Sequence, residues 1–254
     1  MLTMGGIKML KKLLIGILLT TSLSVAIENE KCNFYPVKPM KPLYYGQILF
    51  DRIEYNIENK NSLDYEITGW YGGDYRRIWI ELEGEHNTSK NEGEIEKFDI
   101  LYGKLISPFW DIRGGIGYTG SYGDNGSNRT MALIGLKGLA PYFFEIDTNL
   151  RITSKGEVYG DFEAEYDLLF TQRLILQPRI DTTFSFSKIE ELGIGTGINN
   201  IKVGFRLRYE IKREFAPYVG LNWAKLFGQT KTFAKDEGNP TDYLDLFIGI
   251  RMWF

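Results

Sequence analysis

Two ladders of carboxylates are the residues of this chain best placed to do chemistry. Glu81, Glu83 and Glu85 stand two apart, as do Asp161, Glu163, Glu165 and Asp167. In extended backbone that spacing puts each set on one face. Like charges so arranged repel unless cations hold them, and the cations are either arginines of neighbouring strands or a bound metal ion. For the second case the oxygen donors are Glu81, Glu163, Glu165 and Asp167. The other ligand-type side chains are few: His86, the single histidine, beside Glu85, and Cys32, the single cysteine, eight residues ahead of Met40. One cysteine forms no internal disulfide. The chain has no Gly-x-Ser-x-Gly elbow, and no Gly-Lys-Ser/Thr closes a phosphate loop. Gly193-Ile-Gly-Thr-Gly197 is glycine-rich but leads into a strand pattern and no helix, so it reads as an exposed loop. These residues argue against an enzyme.

Strands must position the ladders, and the alternation shows which way they face. Arg77, Trp79, Glu81, Glu83 and Glu85 alternate with Ile78, Ile80 and Leu82; Asp161, Glu163, Glu165 and Asp167 alternate with Phe162, Ala164, Tyr166 and Leu168. The same period-two pattern closes the chain, where Leu244, Leu246, Ile248, Ile250, Met252 and Phe254 oppose Asp245, Gly249 and Arg251. Apolar residues on one side and charge on the other describe strands that face lipid outward and a polar lumen inward. The lumen set then includes Glu145, Asp147 and Arg151, then Gln177, Arg179 and Asp181, and finally Lys202, Arg206, Arg208 and Glu210.

Twelve such strands are expected, near 48–58, 63–72, 75–86, 95–106, 110–121, 129–139, 142–153, 157–168, 173–186, 200–212, 216–227 and 242–254. The count is even, as single-chain bacterial barrels require. Connections alternate between tight turns, such as Gly72-Gly73-Asp74 and Ala140-Pro141, and mostly longer polar loops, such as 187–199 and 230–241. That places both termini in the periplasm. The fold class is all-β, an up-and-down antiparallel transmembrane barrel over 47–254. Ahead of it, Lys8, Lys11 and Lys12 precede an apolar run from Leu13 to Leu19 and the small residues Ser24-Val25-Ala26, the pattern of a signal peptide over 1–26. Residues 27–46, with Pro36, Pro39 and Pro42, read as a periplasmic tether. A hydrophobic content of 43% is compatible with a barrel, because only half of each strand must be apolar. With 33 acidic and 30 basic residues there is no electrostatic case for nucleic acid. The expected surroundings are the lipids of a bacterial outer membrane.

Longer strings of residues add a family. Glu163-Ala-Glu-Tyr-Asp-Leu-Leu-Phe-Thr-Gln-Arg-Leu-Ile-Leu-Gln-Pro178 and Arg206-Leu-Arg-Tyr-Glu-Ile-Lys-Arg-Glu-Phe-Ala-Pro-Tyr-Val-Gly220 closely resemble the copper-resistance protein B family of outer-membrane proteins. Asp51-Arg-Ile-Glu54, Trp70-Tyr-Gly-Gly-Asp-Tyr75, Pro108-Phe-Trp-Asp111 and Gly138-Leu-Ala-Pro-Tyr142 are similar to the same family, and the resemblance runs from about 45 to 254 in order. It implies an outer-membrane barrel of copper homeostasis that binds copper and acts alongside a periplasmic multicopper oxidase, without catalysis of its own.

The chain departs from that family in one respect. The family usually carries a Met- and His-rich segment between signal peptide and barrel, whereas here the tether offers Cys32 and Met40 alone. Soft sulfur donors suit Cu(I), and the carboxylates suit Cu(II). Met131 and Met252 read as packing or surface residues of the barrel. A small-solute pore, or a docking platform using turns such as Arg213-Glu-Phe-Ala-Pro217, is the alternative.

Overall fold

The computed structural model describes residues 43–57, 62–88, 92–122, 128–236 and 238–254. The expected signal peptide and most of the tether, Cys32 and Met40 included, lie outside the described residues. The barrel is built from β1 (Tyr45–Asn56), β2 (Ser62–Gly72), β3 (Arg76–Asn87), β4 (Glu92–Ser107), β5 (Trp110–Tyr122), β6 (Asn128–Ala140), β7 (Phe144–Thr153), β8 (Val158–Glu165), β9 (Leu168–Leu169), β10 (Leu174–Ser185), β11 (Gly197–Tyr209), β12 (Phe215–Leu226) and β13 (Asp242–Trp253). Neighbours in sequence pair antiparallel, and β1 pairs with β13, so the sheet closes on itself.

The two-residue β9 continues β8, since both pair with β10. The break between them has a cause on the facing strand. Arg179 pairs with Glu165 and Leu176 with Leu168, so Pro178 lies opposite Tyr166. It accepts a hydrogen bond from Tyr166 N at 3.1 Å but has no N–H to return. Counting β8 and β9 as one stave, the barrel has the twelve expected. Its first strand begins at Tyr45, two residues ahead of the expected barrel boundary.

Alternation decides the two faces. Along β13, Leu244 is 50% exposed and Ile248 50%, whereas Phe247 is 3% exposed and packs edge-on against Tyr218. Along β3, Ile78 and Ile80 are exposed and Trp79 is buried. The apolar side chains thus form the outer surface, and the interior is filled mostly by polar and charged ones. Among the most buried large side chains are Arg113 and Arg151. Small apolar clusters punctuate that interior: Trp79 with Leu101, Leu133 and Trp70, and Met131 with Tyr159 and Ile189.

Three local departures from regular alternation matter. In β1 the register with β2 shifts between Phe50 and Arg52, leaving Asp51 unopposed; this bulge turns both Asp51 and Arg52 inward. The strand expected from 142 starts at 144, because Pro141–Phe143 forms a tight 3-10 turn in which Tyr142 and Phe143 both take left-handed φ, 67° and 66°. The connections are also less sharply sorted than expected. Two loops, 186–196 and 227–241, carry most of the extra length at one end. The second of these, expected as irregular polar chain, contains the helix Gly228–Asp236.

Candidate functional site

The inner face divides into a tightly paired middle and a more open chamber at the short-turn end. Five arginines organise the middle. Arg179 of β10 meets five carboxylates: Glu163 at 2.6 Å, Glu165 at 2.9 Å, Asp181 at 3.0 Å, Glu66 at 3.1 Å and, more distantly, Asp51 at 4.0 Å. Arg52 joins Glu66 at 2.6 Å and also Glu83, which in turn holds Lys97 at 2.8 Å. Arg113 bonds Glu81 and, at 2.5 Å, Asp147. Arg151 donates two bonds to Asp99, at 3.0 and 2.7 Å, and one to Asp161 at 2.6 Å. Arg206 holds Glu54 at 2.6 Å, and Tyr218 Oη donates to the same carboxylate at 3.0 Å. These planar forks match carboxylates edge to edge, which a lysine cannot do.

The short-turn end holds a cavity of about 380 Å³. Asp51, Glu66, Asp111, Glu145, Asp147, Glu163 and Glu165 line it, against Lys137 and Arg251 as lining cations. Trp70, Trp79 and Phe109 supply its apolar wall. Several of these carboxylates are shared with the arginines above, but the rim is poorly compensated. Asp111 has Arg77 only at 3.7 Å, and Glu145 makes no ion pair among the described residues while standing directly opposite Glu165 in the β7–β8 register. A deeper chamber of about 30 Å³ shares Glu66, Asp147, Glu163 and Lys137 with it. Lys137 lies between the two, 3.0 Å from Asp147 and 5.6 Å from the Trp79 ring.

The structure brings some of the candidate ligands together and separates others. Glu163 and Glu165 converge on Arg179, and Glu81 shares Arg113 with Asp147. Asp167 is elsewhere, on Arg208 at 2.5 Å. Glu210 is 4.0 Å from that same arginine. Arg77 lies over the Trp70 ring, and Glu85 faces Asp64 and Glu94 on the inner wall. His86 does not join Glu85: it stands on the outer face with Ile80 and Leu82, stacked on Tyr122, with Nδ1 2.8 Å from the phenol oxygen. Among the described residues, no three His, Cys, Asp or Glu side chains are grouped as a metal site, because the carboxylates turn toward guanidinium groups. Met131 packs on the inner face, where its sulfur accepts a hydrogen bond from Tyr159 Oη at 3.1 Å.

Sequence reasoning passed over Asp51, Arg52, Glu54, Glu66, Asp99 and Arg113 as interior residues. Asp99 and Arg113 stood at inward positions of strands already recognised. The bulge hid Asp51 and Arg52, since adjacent charged residues cannot share a face in regular β structure.

The loop 186–196 folds into the opposite mouth. Its Glu191 accepts from Lys155 Nζ at 2.7 Å and from Arg129. These two cations, Lys155 first, hold the Glu191 carboxyl below its ordinary range.

A closed antiparallel barrel with an apolar outside and a charged inside defines an outer-membrane β-barrel protein. The NanC porin has the same fold, with a TM-score of 0.50 at 11% identity over 82% of this chain and 99% of that one. The family is set by sequence: the family model described as Copper resistance protein B precursor (CopB) matches residues 44–254. Copper resistance protein B of Escherichia coli is 38% identical over 208 residues, covering 82% of this chain and 69% of the relative. The Copper resistance protein B homolog of Pseudomonas syringae pv. tomato is 34% identical over 206 residues, covering 80% and 68%. The chain belongs to the copper resistance protein B family and resides in the outer membrane.

Proposed function

We propose that this barrel serves copper homeostasis by collecting Cu(II) in its short-turn chamber, which by the barrel convention opens to the periplasm. The observation that carries the reading is the rim of that chamber, where Glu145 makes no ion pair among the described residues and Asp111 has Arg77 only at 3.7 Å, while the other five lining carboxylates are held by Arg52, Arg113, Arg179, Arg251 and Lys137. Such a surface draws cations in from the periplasm. Its donors are all oxygen, which favours Cu(II) over Cu(I). Glu145 and Asp111 are the available ligands; Glu163 and Glu165 line the same chamber but are held by Arg179, and Glu81, held by Arg113, lines the deeper one. Cys32 and Met40 are the soft donors for Cu(I) on the tether. A periplasmic multicopper oxidase that turns Cu(I) into Cu(II) would feed such a chamber, and the barrel itself performs no catalysis. The paired middle supports capture in preference to free diffusion through the lumen, because its arginines are buried among the carboxylates they hold.

The test is a titration of protein extracted from the outer membrane with Cu(II), Cu(I) and Zn(II). Two variants run in parallel, Cys32→Ala/Met40→Ala and Asp111→Asn/Glu145→Gln. Cu(II) binding that survives the first variant and weakens in the second supports the chamber. Binding lost only in the first moves the site to the tether, and no selective copper binding by the native protein overturns the reading.

A further inference from the structure

We infer that Phe186–Thr196 is a lid over the outer mouth of the barrel, with Ile189 as its plug and Glu191 as its latch. The strands on either side end at Ser185 and begin at Gly197, which stand opposite each other in the β10–β11 register, so the eleven residues between them form a long hairpin loop at the mouth. They turn inward. Ile189 is 1% exposed and sits against Met131 and Tyr159, inner-face residues of β6 and β8, with Leu192 and Ile194 packed beside it. The plug keeps its shape because Ile189 and Ile194 exchange backbone hydrogen bonds of 2.8 and 3.0 Å around the turn Glu190–Leu192. Gly193 closes that turn at φ 64°, a conformation that suits glycine.

Its first residues are tied to β8, Phe186 N donating to Val158 O at 3.0 Å and Val158 N to Ser187 Oγ at 3.2 Å, and beyond them the segment is fastened at two sides. On one side Glu191 bridges Arg129 and Lys155. On the other, Gly195 N donates to Thr230 Oγ1 at 2.8 Å and Lys188 Nζ lies 5.3 Å from the Phe233 ring, both on the helix Gly228–Asp236. Partly exposed ion pairs hold little, and a segment seated by Ile189 with Leu192 and Ile194 and by such contacts opens before the strand ladders beneath it. Gly197, at φ 89°, gives a hinge where β11 begins. Lifting Ile189 uncovers the Met131 sulfur and the Tyr159 hydroxyl from outside, so the lid governs access to the outer half of the lumen independently of any chamber at the other end.

The experiment uses Met131→Cys as a reporter in a Cys32→Ala background, labelled on intact cells with a membrane-impermeant charged maleimide. With the native lid, labelling is slow. Adding Ile189→Asp speeds it by about tenfold or more and Glu191→Gln by a smaller factor, as expected for release of the plug and of the latch. Equal labelling rates with and without Ile189→Asp overturn the proposal. Hydrogen exchange on the unmodified protein reads the same hinge without substitutions. Amides of 187–196 exchanging well ahead of those in β10 and β11 support the lid, and equal protection overturns it.

Discussion

The middle of the barrel and its short-turn chamber use the same residue types to opposite ends. In the middle, each guanidinium is turned to its acids: Arg151 forks onto Asp99, and Arg206 onto Glu54, which Tyr218 also bonds. In the chamber, Asp111 and Glu145 face the cavity with a distant cation or none among the described residues. Charge content alone therefore does not separate structure from function in a lumen. What separates them is whether each carboxylate already has a planar, close partner, because a satisfied pair has no reason to release its partner for a metal ion.

The largest effect should come from breaking the middle. Arg179→Leu leaves five carboxylates around one vacated position, and removing one side of a buried ion pair costs about 3–5 kcal/mol. Urea unfolding of the detergent-solubilised barrel would measure it; a loss under about 1 kcal/mol would mean that water already screens this lattice. Asp111→Asn/Glu145→Gln should do the reverse. Stability should hold within about 1 kcal/mol, since no close pair is lost, while Cu(II) affinity drops about tenfold, equivalent to about 1.4 kcal/mol. If the double variant instead destabilised the barrel and left copper binding intact, the two regions would have to exchange roles.

Much of this architecture was legible in the residues, for a plain reason. A barrel wall imposes period two on every strand, so Ile80 against Glu81, or Leu244 against Asp245, announces inside and outside without knowledge of any neighbour. The family strings, such as that ending at Pro178, fixed the relationship as well. What stayed hidden depended on partners. That Glu163 and Glu165 meet on Arg179 follows from the β8–β10 register, which sets Arg179 opposite Glu165. The bulge at Asp51, the interruption opposite Pro178 and the inward fold of Ile189 each depend on a facing strand or a distant wall. A loop of glycines and carboxylates such as 190–197 looks exposed until Met131 and Tyr159 are known to wait beneath it.

The latch supplies an acid test of smaller amplitude. Glu191 is held by Lys155 and Arg129, while Glu157 stands 3.8 Å from the same arginine and Glu190 is engaged by Lys188. Because the folded-state carboxyl lies below the ordinary 4.5, its contribution is fully present above that value and is lost as pH falls through the lower one. The labelling rate at Met131→Cys divided by the rate of the same reporter with Ile189→Asp, a ratio that cancels the pH dependence of the thiolate, should therefore be flat from about pH 7 to pH 5 and should rise only in stronger acid; a rise already near neutrality would remove Glu191 from the latch.

His86 gives the smallest expected effect and the sharpest control on location. Imidazole is the ligand type most often found on copper, so composition alone makes this residue an attractive donor. Alternation removes it from the lumen: it shares a face with Ile80 and Leu82, and its Nδ1 is 2.8 Å from the Tyr122 hydroxyl, on the side opposite Glu85. His86→Ala should leave Cu(II) affinity within about twofold and stability within about 0.5 kcal/mol, the range of surface substitutions. A tenfold loss of copper binding in this variant alone would place a metal site on the outer wall, near the long-loop end, and would break the division between a paired middle and a receptive chamber on which the copper reading stands.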